Sequence, residues 1–138
     1  MAKKQAYRLT NLELAVMDIL WDAERPLSRN EVLEAGVDEK GEPLFAASSF
    51  HLLINNLIDL NYILVINRVG KNENYGRRYT PNVTRAEHYA RQITAANSFI
   101  PQDVPAIICA LFHYADIKDT DAVLKEAAEL LEKKKKTR

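Results

Sequence analysis

The chain of 138 residues is poor in the residues that most site chemistry needs. Cys109 is its one cysteine, so no intrachain disulfide can form, and a reducing, cytoplasmic setting is expected. Four glycines are present and none gathers into a phosphate-cradling loop. There is no nucleophile elbow and no paired-histidine helix motif, so no enzyme and no cofactor is expected. Charge of one sign is also lacking: Lys and Arg total 19, as do Asp and Glu. The longest apolar run, VPAIICALF, falls far short of the roughly 20 residues that cross a bilayer. The basic start MAKKQAYR leads into an amphipathic pattern rather than a signal core, so no membrane association is expected.

What is present is the composition of a globular protein, 47% hydrophobic and 28% charged. The balanced charge conceals a local surplus. Between residues 68 and 91 stand Arg68, Lys71, Arg77, Arg78, Arg85 and Arg91, opposed only by Glu73 and Glu87.

Three helix starts carry a capping box, in which a Ser or Thr side chain and an acid three residues on satisfy each other's backbone N–H. They are Thr10 with Glu13, Ser28 with Glu31, and Thr84 with Glu87. Apolar staples, Leu9 with Leu14 and Leu27 with Val32, accompany the first two. The spacing predicts a first helix over 11–22 and a second over 29–35, which Gly36 is expected to end in a left-handed conformation. VDEKGEPLF reads as a loop. In SSFHLLINNLIDL, Phe50, Leu53, Ile54 and Leu57 repeat at helical spacing and predict a third helix with one buried face, ending near Asn61. YILVINRV and RRYTP read as two strands about the turn-like GKNENYG. Helical patterns return after Thr84, in AIICALFHYA and from about Asp119, and the chain closes on KKKKTR.

Helix, helix, helix, hairpin is the order of a winged helix-turn-helix. The expected fold is therefore mainly α with a small β hairpin: a winged helix-turn-helix DNA-binding domain over 1–82, then a helical dimerisation region with a basic tail over 83–138. In such a module the third helix enters the major groove while other parts hold the phosphates. That helix has no Lys or Arg, yet base reading does not require charge. Asn can bridge adenine, Ser can bond either kind of base edge, and an exposed Leu can pack on a thymine methyl. The candidate base readers are Ser48, Ser49, His51, Leu52, Asn55 and Asn56. Phosphate contact is assigned to Arg68, Lys71, Arg77 and Arg78, helped by an arm at Lys3, Lys4 and Arg8. The bland alternative is a packed helix with a solvated polar side. The functional alternative is a winged-helix module that docks protein and binds DNA weakly or not at all.

The apolar stripes at Ile107, Ile108 and Leu111, and at Val123, Ala127, Leu130 and Leu131, exceed what one short helical pair can cover, which predicts a homodimer. Cys109 and His113 lie one helical turn apart, but two of the four usual ligands are missing and no metal is expected. His88, just inside a capping box, is expected to be exposed or to cap its helix.

These segments resemble the penicillinase-repressor family of bacterial transcription regulators (BlaI, MecI and CopY types). LTNLELAVMDILW, through Leu9, Thr10, Glu13, Val16, Met17 and Trp21, is similar to that family's first helix. PLSRNEVLE is similar to its second, SSFHLLINNLIDLNYI to its reading helix, RRYTPNVTRAE to the junction after the wing, and KDTDAVLKEAAELLEK to its closing helix. The resemblance implies a cytoplasmic homodimer that binds an inverted-repeat operator in double-stranded DNA and blocks transcription. It places Ser49, His51, Leu52 and Asn56 at DNA-facing positions. His51 and Asn56 stand where the family commonly has Lys and Arg, and Ala46 and Ala47 replace a Ser-Pro helix start. Ser98 separates Asn97 from Phe99, so the proteolytic induction of the β-lactam-sensing branch is not expected. The multi-cysteine hook of the copper-responsive branch is absent from the sequence.

Overall fold

The computed structural model describes residues 8–68 and 76–136. Lys3, Lys4 and Lys71 lie outside the described residues, as does the side chain of Arg68. The chain divides into two compact units, residues 1–97 and 98–138.

In the first unit, helix α1 (Asn11–Ala23) begins at Thr10, whose hydroxyl accepts from the Glu13 N–H while the Glu13 carboxylate accepts from the Thr10 N–H. Helix α2 (Arg29–Ala35) begins in the same way at Ser28 with Glu31. Gly36 ends it with φ −85°, not in the left-handed region expected from sequence. Glycine is required there by space: a Cβ would stand 2.8 Å from the Phe45 ring. Helix α3 (Ala47–Asp59) follows, and Asn61, left-handed at φ 63°, turns the chain into the sheet.

The sheet is antiparallel in the order β1–β3–β2, with β1 Leu27–Ser28, β2 Ile63–Arg68 and β3 Gly76–Pro81. Val65 and Leu27 both pair with Tyr79, which points into the core. Strand β1 was not visible in the sequence because two residues are too few to show alternation. Helix α4 (Arg85–Thr94) carries the third capping box, Thr84 with Glu87. It packs within this first unit.

Val16, Met17, Leu20, Val32, Phe50, Ile54, Leu57 and Tyr62 are almost fully buried and form one cluster from α1, α2, α3 and the sheet. Such side chains contribute about 1.5–3 kcal/mol each on burial. The expectation for His88 is overturned. It is 4% exposed, and its Nδ1 shares a 2.8 Å hydrogen bond with Tyr62 Oη. The rings of Trp21 and Tyr62 stand 5.9 and 5.5 Å from it. A capping box fixes where a helix starts but not which face the tertiary structure covers, and here the face carrying His88 is covered. Burial lowers the His88 pKa, assisted by the nearby Arg91 cation and opposed by Asp18. Close by, Trp21 Nε1 donates to the Val83 carbonyl at 2.7 Å, and Arg85 pairs with Asp18 and Asp22 of α1.

The second unit has a 3-10 turn (Pro101–Asp103), helix α5 (Val104–Tyr114) and helix α6 (Thr120–Lys136). No described residue of α5 or α6 is buried.

Candidate nucleic-acid interface

The reading-helix candidate is α3, and its sequence determines which side is left open. Phe50, Leu53, Ile54 and Leu57 point into the core. At 3.6 residues per turn this leaves Ser48, Leu52, Asn55 and Asp59 along the opposite ridge, with His51 on one flank and Ser49 and Asn56 on the other. Ser48, His51, Leu52, Asn56 and Asp59 are exposed, whereas Ser49 and Asn55 are half-buried. Leu52 is 65% exposed, the most open apolar side chain of the first unit among the described residues.

Three of these polar side chains already have partners. Asn55 Nδ2 donates to His51 Nε2 at 3.0 Å. That bond requires the lone pair on Nε2 and therefore puts the imidazole proton of a neutral His51 on Nδ1, facing away from Asn55. Asn56 Nδ2 donates to Glu13 Oε2 of α1 at 3.3 Å. The ridge thus offers Ser48 Oγ, the Leu52 side chain, the Asn55 carbonyl oxygen and the imidazole N–H of His51.

Positive charge comes from neighbouring elements. Arg77 of β3 is exposed, with its guanidinium 5.6 Å from the Tyr79 ring centroid. Arg78 is placed differently: its side chain is 19% exposed, and Nη1 donates to Glu31 Oε1 at 2.8 Å. Glu31 Oε2 also faces Arg25 at 3.2 Å. The backbone N–H of Ser28 at its N-cap, the Arg25 cation and the Ser28 hydroxyl together hold the Glu31 carboxyl down at about 2, against the opposing effect of burial. Arg78 therefore fastens β3 to the start of α2, while Arg77 next to it projects outward.

One cation escaped the sequence reading. Arg29, the first residue of α2, is exposed, and its guanidinium lies 5.8 Å from the Phe50 ring centroid. It sets a positive charge beside a helix that has none. Its position as the first residue of α2, the helix just before the reading helix, was the available signal.

In the second unit, Ile108, Leu111, Val123, Leu130 and Leu131 are exposed, as is Ala127, while Ile107 is half-buried. Cys109 and His113 lie exposed on α5, and among the described residues no cluster of three or more His, Cys, Asp or Glu is placed to hold a metal ion.

With a winged helix-turn-helix in place, an open third helix and exposed arginines on two neighbouring elements, a family comparison becomes informative. Residues 9–133 match the model of the penicillinase repressor family. The chain belongs to the penicillinase repressor family. Members of this family are DNA-binding regulators of transcription and not enzymes. A search among curated proteins finds no match. No described helix of this family member is long and apolar enough to cross a membrane.

Proposed function

We propose that the chain is a cytoplasmic, homodimeric repressor that binds an inverted-repeat operator in double-stranded DNA. Helix α3 enters the major groove, and Ser48, His51, Leu52 and Asn55 meet the base edges. Arg77 and Arg29 hold phosphates on either side, and by sequence Arg68 and Lys71 join Arg77 on the wing. The observation that carries this reading is the open α3 ridge, which has no cation of its own and whose one charge, Asp59, lies at its far end, together with exposed arginines on the neighbouring β3 and α2. Direct base contacts then supply preference and the arginines supply affinity.

The dimer rests on energetics. Ordering a residue's backbone costs about 1–2 kcal/mol, which only burial can offset. Helices α5 and α6 bury no described residue, although Ile108, Leu111, Val123, Leu124, Leu130 and Leu131 form apolar faces on them. A second copy of the chain supplies the missing cover. Two-fold symmetry then sets the two reading helices about one DNA turn apart, roughly 34 Å, and makes the operator an inverted repeat.

Leu52 favours a second reading. An apolar side chain 65% exposed on a ridge without cations also suits a protein-docking helix. Selection from a pool of random-sequence duplex DNA, at two salt concentrations, separates the two. Recovery of a two-fold symmetric sequence, with random duplexes bound weakly at low salt, supports the repressor. No binding to any duplex at low salt, where every nucleic-acid binder shows its nonspecific mode, rejects it in favour of docking.

A further inference from the structure

We propose that Glu13 and Asn56 form a positioning pair that sets the rotation of α3 about its own axis, and that Asn56 acts through this pair and not by reading a base. The proposal rests on the DNA-binding reading above and goes beyond it, because it removes from the base-reading set a residue that its exposure alone would place there.

Glu13 is a capping residue with a second task. Its side chain is almost covered, at 6% exposed. Oε1 closes the α1 capping box by accepting from the Thr10 N–H at 2.9 Å, and Oε2 accepts from Asn56 Nδ2 at 3.3 Å. An ionised carboxylate only accepts hydrogen bonds, so the Asn56 amide must turn its NH2 towards α1 and its carbonyl oxygen away. Two-pronged recognition of adenine needs both ends of an Asn amide on the same base edge. Asn56 has one end committed to the protein and stands on the flank of the ridge.

The pair supplies what apolar packing lacks. Val16, Met17 and Leu20 of α1 and Phe50, Leu53 and Leu57 of α3 belong to one core, and apolar contact is non-directional. Close packing opposes a large rotation of α3 but discriminates less against one of roughly 5°, which at a side-chain radius of about 5–6 Å moves a base-reading atom by about 0.5 Å. That is enough to break a hydrogen bond, whose length range is about 0.5 Å. A directional bond from the first turn of α1 to the flank of α3 opposes that rotation.

The test compares wild type, Glu13→Gln, Asn56→Ala and the double variant. Each is measured on the duplex that wild type enriches from a random pool and on a scrambled duplex. Gln keeps the capping box by accepting from Thr10 with its carbonyl and presents NH2 to Asn56, which must turn its amide over to accept with its carbonyl oxygen and then aims its own NH2 outward. Asn56→Ala is expected to lower the preference for the enriched duplex by about tenfold, with the loss spread over the half-site, and Glu13→Gln, which replaces a charge-assisted bond by a neutral one, by less. The double variant should fall no further than Asn56→Ala alone, the signature of two residues acting as one unit. Affinity for scrambled DNA and the melting temperature should stay near wild type, which a merely structural role would not allow. Glu13→Gln combined with Asn56→Asp reinstates a donor–acceptor pair of reversed polarity and should recover preference relative to Asn56→Asp alone.

If Asn56→Ala loses preference at a single base pair, if the two losses add, or if Glu13→Gln recovers none of what Asn56→Asp alone loses, Asn56 is a reader and the proposal is overturned. The free protein offers a check without DNA. The Asn56 side-chain amide protons should exchange slowly in wild type and quickly in Glu13→Gln, and fast exchange in both rejects the pair. Failure of the DNA reading looks different: wild type enriches no sequence, and the positioning role then falls while the amide exchange still reports the pair.

Discussion

Arg77 and Arg78 are adjacent in sequence, and a charge map would treat them alike, but the structure separates them. Arg77 points outward over Tyr79, and Arg78 is held by Glu31 at 2.8 Å. Truncating Arg77 to Ala should remove one phosphate contact per subunit, hence two per dimer. Each contact contributes about 0.9 to the slope of log affinity against log salt, so the slope should flatten by about 1.8. Between 50 and 200 mM salt the gap between wild type and variant should then close by about tenfold. Arg78→Ala should leave the slope nearly unchanged and act on stability. Its bond to a carboxylate is charge-assisted, but Glu31 keeps Arg25 and is one-third exposed, so about 1 kcal/mol is expected rather than the 3 of a fully buried pair. For a domain of this size that corresponds to a melting temperature lower by about 4–8 °C. Fluorescence anisotropy of a labelled duplex over a salt series gives the slopes, and calorimetry gives the melting temperatures. If Arg78→Ala flattens the slope as much as Arg77→Ala does, Arg78 leaves Glu31 for phosphate on binding, and the division between the two arginines is wrong.

Two further outcomes are expected. Leu111→Glu places a charge on the α5 face that a second copy would cover and should yield a monomer by sedimentation at micromolar concentration, without unfolding the first unit; an unchanged dimer refutes that placement. Because the His88 pKa is lowered by burial, the unfolded state takes up a proton first as the pH falls. The stability that neutral His88 contributes is therefore complete above its ordinary value of 6.5 and declines as the pH falls below it. His88→Phe should lose less melting temperature than wild type between pH 7 and 5, and equal losses would assign the acid sensitivity to other groups.

How much of this was legible from sequence depends on distance along the chain. Capping boxes at Thr10, Ser28 and Thr84 span three residues, and the first two helices appear within a residue of where the pattern put them. The four buried positions of α3 follow from periodicity alone. The pairs that give the site its character are remote. His88 meets Tyr62 across 26 residues, Asn56 meets Glu13 across 43, and Arg78 meets Glu31 across 47. No local rule relates such partners, so His88 was expected to be exposed or to cap its helix, and Asn56 and Arg78 looked equally free.

Helices α1, α2 and α4 each start with a side chain that satisfies their first turn, whereas α3 starts at Ala46, whose methyl group can satisfy nothing. Omitting a cap forgoes about 1 kcal/mol of local stability. The three capped helices can begin to coil on their own residues, but α3, the proposed reading helix, takes its order from the core beneath it. Its leading turn thus lacks a local anchor, and if α3 enters DNA as proposed, that turn can settle against the groove after contact instead of arriving rigid.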